Sequence, residues 1–242
     1  MAAAVTETPR RIANRERLIF ALDVPDLAGA KHLVSKLGDS VVFYKIGLEL
    51  ATSRHYFELL DWLIGRDKKV FADLKLYDIP ATVTAAVRQL ARSGAAFLTV
   101  HGDRAVAEAA AQAKGGELKI LAVTVLTSVA PADLAEMGIG LTLEELALKR
   151  ARQAVAAGCD GVIASGLEAA QLRGALGRDA LIVTPGIRPA GGAVADQRRV
   201  VTPTLALRSG ADHIVVGRPI RDAADPYRAA SAIQEEIAGV FG

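Results

Sequence analysis

Cysteine is almost absent from this sequence: Cys159 is the only one. No disulfide framework can form, which suits a reducing cytoplasm. Cys159 lies between Gly158 and Asp160, ahead of an apolar run, and reads as a small packed residue rather than a nucleophile. No uncharged apolar run approaches the roughly 18 residues of a membrane-spanning helix. The start, Met1 to Arg17, lacks the apolar stretch of a secretory signal. It is basic through Arg10, Arg11, Arg15 and Arg17, but Glu7 and Glu16 interrupt it. A flexible tail over residues 1–16 is expected there, in preference to a transit peptide. An excess of one charge is missing too. The 29 basic and 27 acidic residues leave a net charge of +2, with no clustered basic face for nucleic acid. No Pro/Gly/Ser-rich linker divides the chain and no shared motif repeats along it. No Gly-x-Gly-x-x-Gly follows the first apolar run, which argues against an open dinucleotide-binding sheet.

What is present is a large apolar fraction, 51% of 242 residues, enough for one sizeable core. Short apolar runs alternate with longer amphipathic stretches. The runs predict eight strands: Leu18–Asp23, Val41–Ile46, Val70–Lys75, Phe97–His101, Lys119–Val123, Gly161–Ala164, Leu181–Thr184 and His213–Val216. Helices are expected over Leu27–Leu37, Glu49–Ile64, Ala81–Ser93, Arg104–Lys114, Leu143–Ala157, Leu167–Leu176, Thr204–Ser209 and Pro226–Ala238. Continuously apolar strands between helices mean a parallel sheet covered on both faces. Eight such units predict a single-domain (β/α)₈ TIM barrel over residues 17–242. Thr127–Leu141 and Pro185–Thr202 read as long irregular segments, of the kind that carries function.

The third strand is the odd one. It is apolar through Val70, Phe71, Ala72 and Leu74, yet it ends with Asp73 and Lys75, and Asp78 follows. Alternation along a strand sends Asp73 and Lys75 to the same side. Burying charges is costly unless they are paired, so either a structural ion pair or a reaction centre must explain them. The other strands decide between these readings. Asp23, Lys45, His101, Thr127, Arg188 and Arg218 also fall at or just beyond predicted C-terminal strand ends, where barrel active sites are built. The N-terminal ends read as plain by comparison. After the eighth strand, Gly217-Arg218 supplies backbone N–H groups and a planar cation, a pairing suited to phosphate. Arg188 and Gln197 offer further donors from the seventh loop.

These residues resemble the orotidine 5′-phosphate decarboxylase family, bacterial in loop layout. The motifs are Phe20-Ala-Leu-Asp23, Tyr44-Lys-Ile-Gly47, Asp73-Leu-Lys-Leu-Tyr-Asp-Ile-Pro80 with Thr82, Leu126-Thr-Ser128, Thr184-Pro-Gly-Ile-Arg188, Asp196-Gln197 and Val216-Gly-Arg218. The resemblance implies a cofactor-free and metal-free decarboxylation of orotidine 5′-phosphate to UMP and CO₂, the last step of de novo UMP biosynthesis. It implies Lys75 as the proton donor to pyrimidine C6, Asp73 beside the substrate carboxylate, and Lys45 orienting Asp73 and touching the ribose. It implies a homodimer in which Asp78, with Thr82, enters the partner's site. Asp23, Ile79, Thr127 and Pro185 are implied substrate contacts, and Arg188, Gln197, Gly217 and Arg218 the phosphate grip. His101 is expected to be a packed or supporting residue.

Loss of CO₂ leaves a carbanion at C6 with little resonance help, so the site must stabilise that charge and then protonate it. A cationic lysine held by carboxylates does both. Repulsion of the substrate carboxylate by Asp73 is a smaller effect. Two like charges about 4 Å apart interact by roughly 4 kcal/mol at an effective dielectric near 20, about three powers of ten in rate. Stabilisation by Lys75 is therefore expected to dominate, with phosphate binding ordering the array and the seventh loop closing as a lid. A magnesium-dependent sugar-phosphate decarboxylase or aldolase of the same superfamily is the alternative. Its metal needs a glutamate near the end of the second strand, where this chain has Lys45.

Overall fold

The structure, a computed structural model, describes residues 12–189 and 201–242. Eight parallel strands close into a barrel in sequence order. They are β1 (Leu18–Ala21), β2 (Phe43–Gly47), β3 (Lys69–Leu76), β4 (Phe97–His101), β5 (Lys119–Val123), β6 (Gly161–Ile163), β7 (Leu181–Thr184) and β8 (His213–Val216). β1 pairs with both β2 and β8, which seals the ring. The expected (β/α)₈ barrel is the fold, and all eight strands lie where the apolar runs placed them, to within two residues at either end.

Parity along the strands separates two cores. Odd-numbered strand residues line the interior, where Ile19, Phe43, Phe71, Phe97, Leu121, Leu181, Val183 and Val215 form one buried cluster. Even-numbered residues such as Phe20, Tyr44, Val70, Leu98, Ile120 and Ile214 pack outward beneath the helices in a second, larger cluster. The interior floor is aromatic: the Phe43 and Phe97 rings lie 4.9 Å apart, with the His213 ring against both. Above this layer, toward the C-terminal ends, the interior parity passes to the charged residues Lys45, Asp73 and Lys75.

Two helical expectations change. The single helix expected over Glu49–Ile64 is broken into Leu48–Ala51 and Tyr56–Ile64. Thr52 donates its hydroxyl to the Glu49 carbonyl at 3.0 Å and Ser53 to that of Leu50 at 2.7 Å. Short hydroxyl side chains that take up helix carbonyls compete with the ladder and end it. The irregular stretch Thr127–Leu141 contains a helix, Pro131–Glu136. Asp133 accepts from the Ala130 N–H at 2.7 Å, and the proline pre-sets the first turn.

The plain N-terminal ends are also corrected. Asp160, just before β6, pairs with Lys114 at 2.8 Å and accepts from the Ile120 N–H at 2.9 Å. Asp212, just before β8, pairs with Arg173 and accepts from the Ile182 N–H at 2.8 Å. Lys69 pairs with Glu16 at 2.6 Å. Of the tail expected over residues 1–16, residues 1–11 lie outside the described residues. Residues 12–16 lie against the barrel base: Ile12 packs on the interior cluster, and the Glu16 carbonyl accepts from His213 Nδ1 at 2.9 Å. Cys159 is buried, and burial pushes its thiol up to about 12. Among the described residues no helix is long and apolar enough to cross a membrane.

Candidate active site

The C-terminal end of β3 departs from regular strand geometry. β3 pairs with β4 as Ala72 with Leu98 and next as Leu76 with Val100. Asp73, Leu74 and Lys75 thus stand opposite Thr99 alone, a pronounced bulge. Lys75 has φ of 48°, in the left-handed region that costs a lysine about 1 kcal/mol or more. Asp73 and Lys75 do share a side, but the bulge delivers the lysine, whereas regular alternation was the expectation.

Four charged groups meet there. Lys75 Nζ lies 2.8 Å from Asp73 Oδ1. Lys45 Nζ lies 3.3 Å from Asp73 Oδ2 and 3.0 Å from Asp23 Oδ1. The Lys45 and Asp73 side chains are each only 12% exposed, so neither charge is well solvated. Burial alone would lower the Lys45 pKa, but Asp73 and then Asp23 outweigh it and hold the ammonium above the ordinary lysine value. Burial alone would raise the Asp73 pKa, but Lys45 and then Lys75 outweigh it and hold the carboxyl below the ordinary range. The result is an alternating chain of charges, Asp23–Lys45–Asp73–Lys75, over an apolar floor that weakens screening. Gly47 belongs to this design: a Cβ there would stand 3.1 Å from Lys45 Nζ.

The chain forms one wall of a cavity of about 420 Å³ at the barrel mouth, within the range of small-ligand sites. Asp23, Lys45, Asp73, Lys75, Thr127, Pro185, Arg188, Gly217 and Arg218 all line it, as does Gly186. Gly186 has φ of 78°, so the turn after Pro185 favours glycine. Arg188 is only 8% exposed and donates Nη1 to the Ile187 carbonyl at 2.8 Å. The cationic residues after β7 and β8 therefore face the same space as the β3 array, across the ring of strands.

Asp78, Ile79 and Thr82 are not brought to this cavity. All three are exposed on the β3 loop and the first turn of helix Pro80–Ala91, and the Asp78 carboxylate accepts from the Ile79 N–H at 2.6 Å. Gln197, Gly191 and Gly192 of the expected lid fall outside the described residues. His101 stacks on Tyr77 with centroids 4.8 Å apart, and burial lowers its pKa. Both rings line a separate cavity of about 250 Å³.

Three contributions escape sequence reading. Arg221 lines the main cavity, donates to the Asp23 carbonyl at 2.9 Å and pairs with Asp222 at 2.6 Å; an Arg-Asp dipeptide past a strand end carries no signal of that placement. Val123, Val125 and Ile163 give the cavity an apolar side, indistinguishable in sequence from other strand residues. Thr99, fully buried behind Asp73, hydrogen-bonds to it at 2.9 Å. Odd parity on β4 was the one available signal for it.

Comparison with known proteins gives the same picture. The model of the Orotidine 5′-phosphate decarboxylase / HUMPS family matches residues 16–233. The orotidine 5′-phosphate decarboxylase of Methylococcus capsulatus is 56% identical over 93% of each chain. That of Stenotrophomonas maltophilia is 52% identical over 98% of this chain and 99% of its own. Among solved structures, orotidine 5′-phosphate decarboxylase from Lactobacillus acidophilus superposes with a TM-score of 0.81 at 37% identity, over 92% of this chain and 99% of that one. By sequence match, barrel topology and the residues that line its mouth, this chain belongs to the orotidine 5′-phosphate decarboxylase / HUMPS family.

Proposed function

We propose that this chain converts orotidine 5′-phosphate to UMP and CO₂, closing de novo UMP synthesis in the cytoplasm. The observation that carries the reading is the charge chain ending in Lys75 Nζ, 2.8 Å from Asp73, inside a cavity that also holds Arg188 and Arg218. In this reading the phosphate is gripped by Arg188, Arg218 and the Gly217 backbone, with Gln197 joining from the seventh loop. Thr127 and Pro185 flank the pyrimidine, and Asp23 and Lys45 meet the ribose. The C6 carboxylate then lies beside Asp73. Its C–C bond breaks, CO₂ leaves, and the electron pair stays on C6. The Lys75 ammonium stabilises that pair and gives it a proton, leaving a neutral amine that solvent reprotonates.

The magnesium-dependent alternative is disfavoured by a position. The Lys45 ammonium sits 3.0 Å from Asp23 and 3.3 Å from Asp73, so a fixed cation already compensates both carboxylates and would repel a divalent ion.

Asp78, Ile79 and Thr82 enter as contributions to a second copy's site. Tyr77, Ile79 and Met137 are 64%, 66% and 64% exposed, and such apolar exposure around the β3 loop suits a symmetric interface. The experiment is direct: purified protein incubated with orotidine 5′-phosphate should shift the ultraviolet spectrum from orotate-type to uracil-type without added metal. An unchanged spectrum, or activity abolished by chelators, would sink the reading.

A further inference from the structure

We infer that Thr99 is a positioning residue for the decarboxylation array, acting on Asp73 and on the backbone of Lys75 at once. The inference rests on the reaction proposed above and extends it to a residue that touches no substrate.

Thr99 is 0% exposed and does not line the cavity. Its hydroxyl oxygen accepts from the Lys75 backbone N–H at 2.9 Å. The same hydroxyl donates to Asp73 Oδ1, also at 2.9 Å. A hydroxyl has one proton. With a backbone N–H already pointing at its oxygen, that proton is directed to the Asp73 carboxyl, whose ionised form the bond favours.

Thr99 stands alone against the three residues of the bulge, because the paired positions are Ala72 with Leu98 and Leu76 with Val100. Odd-numbered β3 residues bond toward β2, as the Lys69 N–H does with the Val42 carbonyl, so in an unbroken ladder the Lys75 N–H would face β2. The bulge turns it to the Thr99 side chain on β4, which fastens the residue whose φ is 48°. One buried side chain thereby holds the backbone that carries the proton donor and the carboxylate 2.8 Å from its ammonium. A β-branched residue suits the task, since its χ1 is stiff on a strand. The γ-methyl and hydroxyl cannot exchange places without losing both bonds. Reaction geometry tolerates little: a displacement of about 1 Å costs on the order of 100-fold in rate.

The test compares Thr99→Val, which keeps the shape and removes the hydroxyl, with Thr99→Ser, which keeps the hydroxyl. Steady-state decarboxylation of orotidine 5′-phosphate, UMP affinity by calorimetry and thermal melting are measured for each. Thr99→Val is expected to lose on the order of 100-fold in kcat while KM and UMP affinity stay within about threefold of wild type. Thr99→Ser should recover kcat to within about tenfold. Thr99→Cys, a weaker donor of similar size, should fall between them, and it carries the test if the valine variant does not fold. A wild-type kcat in the valine and cysteine variants overturns the inference, as does a serine variant no better than valine, or a loss shared equally by kcat and UMP affinity. A wild-type chain that leaves orotidine 5′-phosphate unchanged removes the reaction itself, and the inference with it.

Discussion

The base and the mouth of this barrel are built from similar ion pairs put to different ends. At the base, Asp160 and Asp212 each hold a cation and the N–H of a neighbouring strand. Their cations are occupied as well: Lys114 also donates to the Gly158 carbonyl and Arg173 to those of Gly177, Ala180 and Gly210. These are closed sets, saturated by backbone. At the mouth, Asp73 holds Lys45 and Lys75, and no bond from Lys75 Nζ to a backbone carbonyl occurs among the described residues. The Lys75 side chain is 29% exposed, toward a cavity. A charged pair in a strand-end sequence therefore says little by itself. What distinguishes a functional pair is donor capacity left aimed at an open space.

The largest expected effect concerns the mouth. Lys75→Ala should abolish measurable decarboxylation while nucleotide still binds, and its melting temperature should stay near wild type, because Lys45 continues to compensate Asp73. Mixing it with an Asp78→Ala variant should restore activity toward about a quarter of wild type, since one site in each mixed dimer would be whole. No recovery on mixing would remove the shared site. Next comes Arg218→Ala. Removing a cation from a phosphate grip costs about 2–5 kcal/mol, so kcat/KM should fall at least about 30-fold with the fold intact, and an unchanged kcat/KM refutes its role.

The base answers to stability instead. His213 is 3% exposed, and burial pushes its pKa down to about 4. The folded chain keeps it neutral while the unfolded chain takes up a proton below the ordinary value near 6.5. Its contribution is full above that pH and is lost as pH falls toward 4, by up to about 3 kcal/mol. Urea titrations between these limits should show the slope, and His213→Asn should flatten it. The smallest effect is expected from Asp212→Ala. It leaves the Ile182 N–H and Arg173 short of an acceptor, for a loss of about 2 kcal/mol, with kcat of the folded protein untouched. A loss of kcat without loss of stability there would erase the distinction between base and mouth.

Much of the fold was legible because its signals are local. Leu27–Leu37 is helical as its periodicity and the Asp26 cap require, with Asp26 accepting from the Gly29 N–H at 2.7 Å. Leu143–Ala156 begins at a Thr142–Glu145 capping box. The failures are local competitions that periodicity does not register, such as the Thr52 and Ser53 hydroxyls that end the second helix early. The site was legible where a charged residue interrupts an apolar strand, as Lys45 and Asp73 do. It was illegible where an ordinary residue acts through its place: Arg221 behind Asp23, Ile163 in the cavity wall, Thr99 beneath the bulge.

Sequence alone determined the strand and helix alternation, the apolar content for a sizeable core and the charged residues that interrupt apolar strands at their C-terminal ends, since each follows from residue type and spacing along the chain. Only the tertiary structure decided that the charges form one alternating line from Asp23 to Lys75, that a left-handed residue opposite Thr99 turns the lysine inward, and that the charges at the base are sealed by backbone. Such facts depend on distances between strands far apart in the chain, which closing the barrel creates and periodicity along one strand cannot encode.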